Sequence, residues 1–187
     1  GDFFNVKNAQ SKPVLYKNRN PMILSAAFSS IGREFALNNC DILVTMFSDI
    51  AALKHQVLTI KRKSKNKKKK FQVFVLCHIV CKQTDKEAIE YYDDYSKNKA
   101  DKIAVFNFSN IIAKNPKNKV LKSIQKKNIQ KMAGGIGSYP IVGSPKKVIQ
   151  ELNKINNSGV DGVVVSFLNF KDEVKFFTQK VLNVINK

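Results

Sequence analysis

Three groups of residues combine a chemically useful side chain with a suggestive setting. Ser29 and Ser30 stand between an apolar run and a segment carrying Ile31 and Phe35 on one helical face, so either hydroxyl can cap a helix start. His78 lies inside the apolar run 71–81, where a lone imidazole is either a hydrogen-bonded core residue or a group that handles protons. Gly134, Gly135 and Gly137 precede Tyr139-Pro140 and read as a flexible linker or a hinged loop. Cys77 and Cys81 share the run with His78, and with Cys40 they make an odd count; buried free thiols fit better than bridges or a metal site. His55, beside Lys54 on a helix face, reads as surface.

The elements that must hold these residues follow from periodicity. Residues 1–20 begin with Phe3-Phe4, turn polar, and read as a loop or short hairpin. Residues 21–100 read as three strand–helix units. Their strands are 21–27, 40–47 and 71–81, the second helix is capped by Asp49 and carries Leu53, Val57 and Ile60, and the third opens on the capping box Thr84 to Glu87. Residues 101–133 form a poorer helical pattern split near Asn115-Pro116, taken as an inserted helix pair. Residues 134–187 supply the glycine loop, a helix with Ser144 at its N-cap and Pro145 at its first position, a strand at 160–168 and a closing helix. Apolar strands alternating with helices predict a parallel α/β sheet with right-handed crossovers. About four strands fall short of the eight that close a barrel, so the sheet is open or is half of something larger.

Composition bounds the partners. With 43% hydrophobic and 10% aromatic residues the chain is globular, and 187 residues suffice for one good core. No apolar run nears the roughly 20 residues that cross a bilayer, and no basic-then-apolar leader opens the chain, so a cytoplasmic protein without a membrane partner is expected. The net charge of +19 would suit nucleic acid, yet only Arg19, Arg33 and Arg62 are arginines among 33 basic residues. The cluster at 61–70 has no aromatics interleaved with its lysines to stack on bases, and reads as a solvated loop.

Several blocks, in order, resemble the C-terminal end of luciferase-like, flavin-dependent monooxygenases. They are Tyr139-Pro-Ile-Val-Gly-Ser-Pro-Lys-Lys-Val, Ser158-Gly-Val-Asp-Gly-Val-Val-Val-Ser-Phe-Leu-Asn-Phe and Phe176-Phe-Thr-Gln-Lys-Val-Leu, preceded by Gly1-Asp-Phe-Phe, residues 25–41, and Cys77-His-Ile-Val-Cys with 84–88. The nearest branches are the pyrimidine, sulfonate and sulfone monooxygenases. The resemblance implies the C-terminal half of a TIM (β/α)8 barrel, beginning before the fifth strand, as one partial domain. It also implies an oxidation in which reduced FMN, supplied by a separate reductase, and O2 deliver oxygen to a small organic substrate. By position, Ser29 falls where the family places a serine on the FMN phosphate and Ser30 follows at the helix start, both expected to bind the cofactor, with Ala27 and Phe28 where the family usually has two glycines. His78 falls on an active-site histidine of the sulfonate-type enzymes, pointing into the barrel with Cys77 and Ile79 toward the helices. Gly134, Gly135 and Gly137 become a lid over substrate or phosphate, while Asp161 and Ser166 read as structural.

A half-barrel leaves open edges and an apolar face, so the expectation is little turnover alone and pairing with another copy or with a complementary N-terminal half. Two other classes compete. A non-catalytic α/β remnant or interaction protein without flavin would leave FMN fluorescence unquenched, and a basic nucleic-acid binder would show steep salt dependence.

Overall fold

The computed structural model describes residues 2–10, 12–65, 70–114 and 129–185. The expected loop at the start is irregular and exposed apart from one tight turn at Tyr16–Asn18. Strand β1 (Leu24–Ala26) then leads to α1 (Ser30–Asn39), β2 (Ile42–Thr45) to α2 (Ile50–Ser64), and β3 (Gln72–Cys81) to α3 (Asp85–Asp93). The caps fall where the side chains dictate. The Gly32 amide donates to Ser29 Oγ at 3.1 Å, the Ala52 amide to Asp49 at 2.8 Å, and Thr84 and Glu87 close the capping box. Helix α2 runs further into the lysine cluster than a loop reading allows: Lys61, Arg62 and Lys63 occupy its last turn, where cations favour the carbonyl end. Residues 66–69 of that cluster, and the split near Asn115-Pro116, lie outside the described residues.

After α3 a wider turn at Asp94–Asn98 precedes α4 (Lys102–Lys114) and α5 (Ile129–Gly135). The chain then forms β4 (Tyr139–Gly143), α6 (Pro145–Asn156), β5 (Gly162–Ser166) and α7 (Phe170–Phe177), which continues through a second wide turn at Thr178–Leu182.

Among the described residues all pairings are parallel, and five strands replace the expected four. The additional one is β4, read from sequence as loop. Its cause is the length of β3: one edge serves β2 along 72–75 and still has 77–81 to offer, which β4 takes with Tyr139 opposite Cys77. Because Phe74 and Val75 pair with both β2 and β5, and Cys77 and His78 with both β4 and β5, β5 holds the opposite edge of β3. The principal order is therefore β1-β2-β3-β5, sequential as in one arc of a barrel.

Alternation gives the sheet two faces. Leu43, Val73, Val75, Cys77 and Ile79 form the main core with Leu53, Val57, Val148, Ile155 and Phe177 from the helices. On the other face, Leu76 packs with Met46 and Met132, and Val80 with Ala88 and Tyr92. That inner face is incompletely covered, with Leu24 51% and Val164 36% exposed.

Candidate functional site

His78 is buried on the inner face near the carboxyl end of β3, while Cys77 and Ile79 join the helix-side core, as alternation requires. Its Nδ1 lies 2.9 Å from Ser166 Oγ and its Nε2 lies 2.7 Å from Tyr95 Oη. Register makes the first contact, since β5 pairs with β3 so that Ser166 faces His78. The wide turn at Asp94–Asn98 makes the second, bringing Tyr95 beside the ring, and Tyr91 and Tyr92 pack edge-on against Tyr95. Burial pushes the His78 imidazole below its ordinary value, with the Glu173 charge opposing, so the ring is neutral at neutral pH. Burial also raises the Tyr95 hydroxyl, keeping it a protonated donor.

The glycines cover this ring. Gly134 and Gly135 are the last turn of α5, not part of a loop. A Cβ on Gly135 would meet His78 Cβ and Cγ at 2.9 Å, and one on Gly134 would meet the Tyr92 ring at 2.7 Å. Only Gly137, at φ +81°, belongs to the turn, and its amide reaches back to the Lys131 carbonyl at 3.0 Å to end the helix. The structure thus gathers His78, Gly134 and Gly135 into one place and adds Tyr95 and Ser166. Tyr95 carries no site signal in the sequence, and Ser166 reads there as structural; what brings Ser166 to His78 is pairing register across 88 residues, and what brings Tyr95 is the wide turn, neither of which a local pattern carries.

Ser29 and Ser30 sit two strands away, at the carboxyl end of β1, which strand spacing puts on the order of 10 Å from β3. Ser29 is the N-cap of α1, and the Ser30 and Ile31 amides have no intrahelical acceptor. One turn on, Arg33 lines a cleft of about 680 Å³ with Ser30, and its Nε and Nη2 are buried without a hydrogen-bond acceptor. Desolvation lowers the guanidinium's pKa from its ordinary value. The first turn of α1 thus offers hydroxyl and amide donors at the carboxyl end of β1, while Arg33 faces the groove between α1 and α2.

A second cluster lies where β3 and β5 lead into their helices. Glu173 is 5% exposed and accepts from Lys82 Nζ at 3.0 Å and from the Leu168 and Asn169 amides at 3.1 Å. The Lys82 ammonium also lies 3.7 Å from the Tyr91 ring centroid. Burial lifts the Cys77 and Cys81 thiols to about 12 and about 11, so neither is a nucleophile.

Parallel strands in one arc, with helix starts and polar side chains gathered at their carboxyl ends, define an α/β protein of the barrel type whose site lies at that face. Comparison makes the class particular: the profile of the luciferase-like monooxygenase family matches residues 1–162, and the chain belongs to that family. It is 24% identical over 193 residues to FMNH2-dependent dimethylsulfone monooxygenases of Pseudomonas putida and Pseudomonas fluorescens, with all of this chain and 52% of each relative covered. The chain thus spans about half the length of these curated relatives. Among solved structures, DmoA from Hyphomicrobium sulfonivorans superposes with TM-score 0.73 at 17% identity, covering 89% of this chain and 41% of that one. The long-chain alkane monooxygenase LadA gives 0.68 at 21% identity, covering 89% and 41%. These likenesses support the fold: a partial TIM barrel of parallel strands.

Proposed function

We propose that this chain carries part of the site of an FMN-dependent monooxygenase acting on a small organic substrate, with a small sulfone as the first candidate. The observation that carries the reading is the family match over residues 1–162, and the two sulfone-oxidising relatives suggest the candidate substrate. When bound, reduced flavin with O2 supplies the oxidising chemistry, and in this reading a separate reductase provides the reduced flavin. The first turn of α1 fits the phosphate end of the nucleotide, since Ser29, Ser30 and the free amides donate there, and Arg33, one turn on, adds positive charge, its buried Nε and Nη2 having no acceptor. His78 and Ser166 face the space where substrate would meet the cofactor, and Gly134 and Gly135 let α5 close over the imidazole and limit its contact with water.

The described residues hold no helix long and apolar enough to cross a membrane, and the three cysteines are free; we place the protein in the cytoplasm. In this reading the chain turns over poorly alone, because the inner face and the outer edges of β1 and β5 call for further strands, from another copy or from a complementary N-terminal half.

Titration with FMN, followed by quenching of flavin fluorescence, tests the reading. Saturable quenching is expected, weakened about tenfold or more by Ser29→Ala with Ser30→Ala, as for loss of hydrogen bonds to a charged group. Absence of quenching would favour the non-catalytic α/β alternative. Rapid oxidation of dimethyl sulfone by the monomer with supplied reduced FMN would overturn the need for further strands.

A further inference from the structure

The imidazole of His78 has a hydroxyl at each nitrogen, and each hydroxyl has a second outlet. Tyr95 Oη, besides its contact with Nε2, donates toward the Gly134 carbonyl at 3.4 Å. Ser166 Oγ, besides its contact with Nδ1, donates toward the Cys77 carbonyl at 3.5 Å. A neutral imidazole carries one N–H and one lone pair, so the chain has two complete arrangements. In the first, Ser166 donates to Nδ1, Nε2–H donates to Tyr95, and Tyr95 donates to Gly134. In the second, Tyr95 donates to Nε2, Nδ1–H donates to Ser166, and the Ser166 proton turns to Cys77 or outward. Neither leaves a buried polar atom of the triad unpaired, and the outlets differ by only 0.1 Å, so geometry does not choose between them. Exposure does give the chain a direction: His78 is buried, Tyr95 is half-buried and Ser166 is exposed.

We propose that His78, Tyr95 and Ser166 form a two-state proton switch whose ligand-facing end is the Ser166 hydroxyl, with Tyr95 as a positioning residue that acts through the ring. In the first state Ser166 presents lone pairs to a ligand donor; in the second it presents a proton to a ligand acceptor. Conversion conserves protons. The Ser166 proton passes to Nδ1, the Nε2 proton passes to Tyr95, Tyr95 releases its original proton to water, and Ser166 takes one from the ligand or from water. The ligand class this suits is a small molecule with an oxygen that loses a proton at this point. That the oxygen belongs to a monooxygenase substrate or product rests on the proposed function; the switch itself does not.

Nitrogen-15 NMR of the imidazoles in the intact chain tests it at neutral pH. The sequence has two histidines, and a His55→Gln variant assigns the signals. In the wild type both ring nitrogens of His78 should resonate between the protonated and unprotonated positions. Ser166→Ala removes the partner of Nδ1 and should drive the ring to Nε2–H; Tyr95→Phe should drive it to Nδ1–H, because a stranded lone pair costs less than a stranded buried N–H. Ser166→Thr keeps a hydroxyl and should keep the averaged signal. One tautomer throughout, or shifts in the same direction for Ser166→Ala and Tyr95→Phe, would overturn the switch. Should Tyr95→Phe fail to fold, Ser166→Ala against Ser166→Thr still decides: an identical tautomer in both overturns the proposal. FMN titration alongside separates the two claims. Opposite tautomer shifts without flavin binding keep the switch and remove the flavin reading, and flavin binding with unmoved tautomers does the reverse.

Discussion

At the scale of single residues, the site depends on what is missing as much as on what is present. The Gly134-Gly135 pair looks like a hinge in sequence, yet both residues finish a helix whose end abuts aromatic rings. Hydrogen in place of a methyl lets the α5 backbone come close enough for the Gly134 carbonyl to meet Tyr95 while Gly135 seals the His78 ring. The obstruction at Gly135 is the root of the His78 side chain, which sits on a strand paired at both edges and has little room to yield. Gly135→Ala should therefore destabilise by about 1–3 kcal/mol, the range for an overpacked core, read as a lower denaturant midpoint at unchanged slope. An unchanged midpoint, with the His78 signal also unmoved, would show that α5 does not bear on the ring.

At the scale of elements, the parts of the fold governed by local chemistry were readable, and those governed by register were not. Asp49 with Leu53, Val57 and Ile60 marks α2, and Thr84 with Glu87 marks the start of α3, because caps and helical stripes act within a few residues. That Cys77 and Ile79 lie opposite His78 was readable too, since alternation is local, while the family resemblance implied which side meets the helices. Strand β4 was not, because what makes it a strand is the spare edge of β3, far away in sequence. Glu173 was missed for a related reason. As an acid in the first turn of a helix it looks like an ordinary dipole partner, but the structure buries it against Lys82 from the end of β3 and the two amides that lead into α7. It ties the loop after β5 to the strand carrying His78. Removing one partner of a fully buried ion pair costs about 3–5 kcal/mol. Lys82 keeps 29% of its side chain exposed, so about 1–3 kcal/mol is expected for Glu173→Gln by chemical denaturation. The neighbouring exposed Asp172→Asn should be near neutral, and equal effects from the two would remove the tie.

At the scale of the whole molecule, the sheet has one finished face and one unfinished face. Helices α1, α2, α6 and α7 supply the core on one side, whereas among the described residues the inner side is covered in part, by α3, α4, α5 and the wide turn between α3 and α4. On that inner side Leu24 and Val164 stay exposed, and among the described residues β1 pairs only with β2 and β5 only with β3. Two open edges beside apolar side chains favour association over a stable monomer. Net charge acts against this, since +19 on each copy repels a second copy, and salt screens that repulsion while leaving apolar contact intact. Self-association should therefore strengthen as salt is raised, opposite to the behaviour of a complex held by lysines on phosphates. Sedimentation equilibrium over a range of protein concentration and salt reads this directly. Placing lysine at both Leu24 and Val164 should weaken association by more than tenfold, because burial of such side chains contributes about 1.5–3 kcal/mol each. If the chain stays monomeric at high salt, or the double lysine variant associates as the parent does, the inner face is not the surface that seeks a partner.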